Sequence, residues 1–283
     1  MPNLIVNADD FGRSAGVNRG ILEAHEKGIV TSTTVMVNYE DAPAGLEAAL
    51  ETAPDLGLGL HLTLSSGRPV SPPGEVPSLV GEEGRFHPVA RLAERIRGWE
   101  AEDLEREMRA QVARFIALAG RPPDHLDSHH HAAYLHPDAL RTMLGLAAEY
   151  NLSIRRPELA PTPAETAAAI RHLRKEFTPA LALELAEGIH AVLEGAAMPP
   201  SPDRLETGFF GPGAILGELL VILTNLPAQG VTELMCHPGY ADGLDGGYTV
   251  ERQRELEVLT HPSVHEVVAA ERIRLMTFAE LPR

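Results

Sequence analysis

The sequence predicts an α/β fold: an irregular (β/α) barrel of mostly parallel strands, built as one domain over residues 1–283. Three observations carry that prediction. Strand-like and helix-like runs alternate along most of the chain, the pattern that wraps helices around a parallel sheet. The first run, Leu4-Ile5-Val6, is apolar on both faces, as a strand covered by helices on both sides must be. Carboxylates and imidazoles gather at the ends of strand candidates, at the edge where barrels keep their chemistry.

The elements follow in order. Leu4–Asn7 reads as the first strand and Ala15–Lys27 as a helix ended by Gly28. Thr33–Val37 is the second strand, and the alanine-rich run Ala42–Thr52 is the next helix. Leu56–Leu64 is a third strand, with glycines where close packing is needed. Ser65–His87 is rich in Pro and Gly without periodicity, which predicts a long loop over one face. Glu100–Ala119 places Leu104, Met108, Val112, Phe115 and Ile116 on one helical stripe. His125–Ser128 and Leu152–Arg155 are short strands flanking the helix Pro137–Tyr150. Ala164–Glu194 is helical with a break at Thr178-Pro179, and Ile215–Asn225 is a further helix. Val231–Met235 is a late buried strand, Val250–Leu259 a helix, and Ile273–Thr277 the last strand.

Composition narrows the function classes. The chain has 24 basic and 40 acidic residues, a formal charge of −16, which disfavours phosphate backbones and anionic lipid. Nucleic-acid and membrane partners are therefore not expected; a neutral sugar or a metal cation meets no such repulsion. No apolar run reaches the length of a membrane span, and a strand pattern follows the first residues directly, without a signal peptide. The single cysteine, Cys236, allows neither an intramolecular disulfide nor a cysteine-built zinc site. A cytoplasmic location is the expectation.

The chemistry gathers at four strand ends. Asp9 and Asp10 stand side by side in NADDFG; His61 lies in GLHLTL; His129, His130 and His131 follow HLDS; and His237 follows VTELMC. Two adjacent carboxylates repel unless a cation, a proton or donor groups compensate, whereas a helix cap needs only one. A lone strand histidine is more often a satisfied core residue. Four such ends meeting at one barrel mouth argue instead for a divalent metal held by a carboxylate and two imidazoles.

These motifs resemble the YdjC-like carbohydrate deacetylases, among them the chitooligosaccharide deacetylases. NADDFG, VTSTTVMVN, GLHLTL, HLDSHHH and MCHPGY occur collinearly from Leu4 to about Tyr240. The resemblance implies an irregular (β/α) barrel, a divalent metal usually assigned as magnesium, and a homodimer. It also implies roles: Asp10, His61 and His129 as metal ligands, Asp9 as catalytic base and His237 as general acid. The family commonly carries a further His where this chain has Ala133. Donor softness favours zinc or another transition ion over magnesium for such a set.

The residue types suit amide hydrolysis, which needs an activated water, a polarised carbonyl and an acid for the departing amine. As the general acid, His237 would need a pKa at or above that of a free imidazole, about 6.5. The expected substrate is an N-acetylated carbohydrate such as a short chitooligosaccharide. The alternatives are a related metal hydrolase of another amide, ester or phosphoester, and a non-catalytic sugar- or metal-binding protein. Candidates for substrate contact are His131, Arg155, Phe209 and Phe210; Arg155 is also placed to pair with Asp9, and Asp127 to orient a ligand imidazole.

Overall fold

A computed structural model of the chain describes residues 1–157, 160–244 and 248–282. Its strands are β1 (Asn3–Phe11), β2 (Ser32–Val35), β3 (Gly57–Leu62), β4 (His125–Ser128), β5 (Ser153–Ile154), β6 (Arg204–Glu206), β7 (Val231–Cys236) and β8 (Arg274–Leu275). Its helices are α1 (Ala15–Lys27), α2 (Ala42–Thr52), α3 (Leu92–Arg95), α4 (Ala101–Ala119) and α5 (Pro137–Tyr150). They continue as α6 (Pro163–Leu173), α7 (Pro179–Glu194), α8 (Leu216–Thr224), α9 (Val250–Leu259) and α10 (Pro262–Ala270).

The strands form one sheet in the order β5-β4-β3-β2-β1-β7-β6, with β8 added against the start of β1. Every pairing between these strands is parallel. The sheet curls into a half-barrel, in keeping with the expected irregular (β/α) barrel. β5 and β6 are its open edges, and β6 is short, polar and partly exposed, so no strand signal marks it in the sequence.

The interior of the curl is read by side-chain parity, since alternate residues of a strand face opposite sides. On β1, Leu4, Val6 and Ala8 belong to the main core under the helices. Ile5 instead packs with Val231, Met276, Phe278 and Leu281 in a second cluster at the floor of the curl. On β3, Leu58, Leu60 and Leu62 join the helix side. Gly59 faces inward, where the His125 ring of β4 fills its space and stacks on Phe278 at 3.7 Å between centroids.

The departures from expectation are local. The broken helical run becomes α6 and α7, with Thr178 capping the second by accepting from the Leu181 amide. The last strand shortens to Arg274–Leu275, paired with Asn3 and Leu4. Segment 65–87 is aperiodic but packed. Glu107 of α4 accepts from the amides of Val70 and Ser71, and Asp103 from that of Ser78.

A Cβ added at Gly59 would lie 2.2 Å from His125 Cε1. Gly59→Ala is expected to lower stability by about 1–3 kcal/mol, the usual range for overpacking. The check is a lower denaturant midpoint at unchanged slope; a wild-type midpoint would show that the floor of the curl is loosely packed.

Candidate active site

The inward parity of five strands ends at one mouth. On β1 it gives Asn7 and Asp9, on β3 His61, on β4 Asp127 and then His129, after β5 Arg155, and on β7 Glu233 and then His237. The last register pair between β1 and β7 is Ala8 with Cys236, so Asp9 and His237 emerge side by side. His61 is likewise paired with Asp127 across β3 and β4.

Asp10 has the wrong parity: regular alternation would turn it toward the helices with Ala8. Two features re-aim it. The register to β2 shifts between Ala8 and Phe11, and Asp10 takes φ +74°, outside ordinary strand geometry. The strand therefore runs through both carboxylates instead of stopping at Asn7. Gly12, at φ +91°, completes the exit, where a Cβ would meet that of Ala42 at 2.8 Å.

Once re-aimed, Asp10 Oδ1 lies 3.0 Å from His129 Nδ1 and 3.5 Å from His61 Nε2. The two imidazole nitrogens are 3.2 Å apart, and all three residues are buried. Donors about 2.1 Å from a common centre at 90–109° to one another stand about 3.0–3.4 Å apart. The spacing therefore fits a single divalent ion held by one carboxylate oxygen and two imidazoles.

Neighbouring groups prepare two of the three donors. Asp127 Oδ1 is 2.7 Å from His61 Nδ1 and accepts from Thr34 Oγ1 at 2.6 Å. A proton on Nδ1 leaves the Nε2 lone pair facing the cluster. Asp10 Oδ2 is taken by Arg252, and by Arg13 at 3.3 Å, while Oδ1 has no well-aligned hydrogen-bond donor among the described residues. Burial opposes ionisation of Asp10, yet Arg252 and His129 hold its carboxyl well below the usual range. Burial would also lower His61, but Asp127 and Asp10 raise it to about 10, so the cluster favours positive charge. Asp9, His61 and Asp127 also lie close enough to suggest an ion site, but a guanidinium already joins the two carboxylates there.

That guanidinium belongs to Arg155, the largest fully buried side chain described. It grips Asp9 at two points, Nη2 to Oδ1 at 2.7 Å and Nη1 to Oδ2 at 2.9 Å. Its Nη1 lies 3.1 Å from Asp127 Oδ2, and its Nε donates to Glu233 at 2.7 Å. Arg155 thus sits beneath Asp9 and not at the surface of the mouth. Burial raises Glu233 to about 7, against the pull of Arg155.

His237 Nε2 is 3.9 Å from Asp9 Oδ2, and its side chain is 14% exposed. Burial lowers this imidazole to about 4; Asp9 and Asp10 oppose the shift without overcoming it. Against the expectation of a pKa at or above 6.5, burial favours the neutral imidazole. Its backbone amide donates to Glu255, which also accepts from Tyr248. Gly20 of α1 lies against Gly239 with no room for a Cβ, which fixes the turn after His237.

The remaining candidates separate. His130 and His131 both adopt left-handed backbone, φ +55° and +57°, so the chain turns sharply after His129. His130 Nδ1 lies 2.9 Å from Ser65 Oγ, and its ring lies over that of His129 at 3.7 Å. His131 is half-buried near Tyr134 and lowered to about 4, first by burial and then by Arg155. Ala133 is fully buried. Phe209 is a core residue with no exposure, whereas Phe210 is 45% exposed and packs edge-on near His237. Sequence reading missed Tyr248, and it missed Arg252 and Glu255, whose helix α9 reads as a solvated charged run. It also missed Glu233, although an acid inside VTELMC was a visible signal.

Comparison with known proteins shows what the whole chain is similar to. A carbohydrate deacetylase of Brevibacillus brevis is 38% identical over 98% of this chain and 99% of its own length. A chitooligosaccharide deacetylase of Serratia marcescens is 35% identical over 98% of each chain. A crystal structure from Enterococcus faecalis, described in terms of cellobiose-phosphate cleavage, superposes with a TM-score of 0.80 at 31% identity, covering 98% and 97% of the two chains. The family profile described as YdjC-like protein matches residues 3–270. The chain belongs to the YdjC-like family.

Proposed function

We propose that this chain is a metal-dependent carbohydrate deacetylase that hydrolyses the acetamido group of N-acetylated sugars, with short chitooligosaccharides as the substrate class. The observation that carries the reading is the buried Asp10–His61–His129 cluster beside the Asp9–His237 pair, in a chain 38% identical to a carbohydrate deacetylase. A divalent ion on Asp10 Oδ1, His61 Nε2 and His129 Nδ1 would supply Lewis acidity toward the acetyl oxygen and a more acidic water. Two imidazole donors favour zinc or another transition ion over magnesium. Family resemblance supports a homodimer, and a single cysteine, which allows no intramolecular disulfide, supports a cytoplasmic location.

The protein's own groups divide the proton work. Asp9, oriented by the two-point grip of Arg155, accepts the proton of the attacking water. His237 is neutral at rest, so the proton it delivers is the one the water has surrendered. It passes from Asp9 through His237 to the departing nitrogen, giving acetate and a free amine. A protein that only stored ions would need no oriented carboxylate next to its ion site, which supports catalysis over plain binding.

Two outcomes test these roles. His61→Ala or His129→Ala should remove the bound ion as well as activity, whereas Asp9→Asn should retain the ion and lose about 10²–10⁴-fold in turnover. Elemental analysis of the purified variants checks this; full occupancy in the histidine variants, or loss of the ion from Asp9→Asn, would contradict the division.

The second outcome concerns pH. A lowered imidazole is protonated only below about 4, so His237 limits kcat/KM on the acid side and adds no alkaline limb. His237→Ala should slow amide hydrolysis far more than hydrolysis of activated acetyl esters, whose leaving group needs no proton. A profile that falls on the alkaline side near pH 6.5–7 in the wild type, and not in His237→Ala, would show a resting imidazolium instead.

A further inference from the structure

The pair of aromatic residues in Thr207–Gly211 divides its work in a way that the deacetylase chemistry does not use. Phe209 is wholly buried and anchors the segment in the core. Phe210 points the other way, 45% exposed, although it is one of the largest apolar side chains. Its ring is parallel to that of Tyr248, with centroids 4.6 Å apart and an interplanar angle of 2°. One face of Phe210 is therefore covered and its exposure belongs to the rest of the ring.

This two-ring wall stands beside the reacting groups. The His237 ring lies 5.3 Å from Phe210 and 5.8 Å from Tyr248, edge-on to both. The wall is also tied to His237 through the backbone. The Tyr248 hydroxyl accepts from the Gly211 amide at 2.8 Å and donates to Glu255, whose other oxygen accepts from the His237 amide. A half-buried tyrosine whose hydroxyl is bonded on both sides, stacked against a ring left open to solvent, describes a held surface and not a loose loop tip.

We propose that the open face of Phe210, backed by Tyr248, is the sugar-ring subsite: it packs against the apolar C–H face of a neutral pyranose and sets that ring's position relative to His237. Tyr248 is the positioning residue of the subsite, acting through Phe210 and Gly211. The assignment rests on the deacetylase reading for its substrate. A binding surface made of apolar contact favours uncharged rings with axial C–H groups and gives little to a small acyl compound without a ring.

The test uses the full-length, metal-loaded protein and di-N-acetylchitobiose, comparing wild type with Phe210→Ala, Phe210→Trp and Tyr248→Phe. Because Phe210 is half-exposed, the variants should fold, which circular dichroism checks. Phe210→Ala should raise KM about 10-fold, equivalent to about 1.4 kcal/mol of binding, with kcat within about 3-fold. Phe210→Trp should restore KM, and Tyr248→Phe should raise it by a smaller factor. Unchanged KM in Phe210→Ala, or a loss confined to kcat, would overturn the subsite. Calorimetric binding of the same disaccharide to these variants in the Asp9→Asn background separates the two readings. If wild type releases no acetate yet Phe210→Ala weakens binding about 10-fold, the subsite stands and the deacetylase reading fails. If acetate is released and neither KM nor binding responds, the subsite alone fails.

Discussion

The interior of this half-barrel depends on one buried cation. Arg155 enters from the edge strand β5 and holds Asp9 of β1, Asp127 of β4 and Glu233 of β7 on a single guanidinium. Each carboxylate alone would be costly to bury, and removing one partner of such a pair typically costs about 3–5 kcal/mol. Together they tie the neighbouring strands β4 and β5 to the neighbouring strands β1 and β7, which β2 and β3 separate in the sheet. The cost of desolvating these charges is offset by their ion pairs with Arg155, and the same contacts orient the site: Asp9 is gripped at both oxygens, and Asp127 fixes His61.

Charge is distributed with equal economy at Asp10. One of its oxygens faces Arg252 and Arg13, the other faces two imidazoles. The arginines satisfy the carboxylate from behind without filling the space in front. The neighbouring Asp9 meets a different cation, so the adjacent carboxylates do not share a partner and their repulsion is relieved twice. The pairing that looked unfavourable along the sequence is resolved by turning the two side chains toward opposite cations.

Much of this was legible in the sequence because strands alternate. Odd-numbered inward positions on β3, β4 and β7 could be read from Gly59-x-His61, His125-x-Asp127-x-His129 and Glu233-x-x-x-His237. What was not legible has a physical reason in each case. Asp10 reaches the cluster only through a register shift and a positive φ, which are tertiary features with no local composition signal. Arg252 and Glu255 lie in a charged helix whose pattern matches any solvated face; burial of their heads depends on how α9 packs. The pKa of His237 followed the wrong sign because burial, the largest influence on it, is invisible along the chain. Phe209 and Phe210 looked equivalent between their glycines, and only the packing of the segment separates anchor from exposed ring.

The central claim is that the Asp10–His61–His129 cluster turns this scaffold into a deacetylase by holding an ion. The most direct measurement strips the wild-type protein with a chelator, adds back zinc, manganese or magnesium in steps, and follows free acetate from N-acetylglucosamine oligomers. The account predicts negligible release from the stripped protein and recovery proportional to bound ion, saturating at one per chain. Undiminished acetate release from the stripped protein, or a fully loaded protein that releases none, would contradict it.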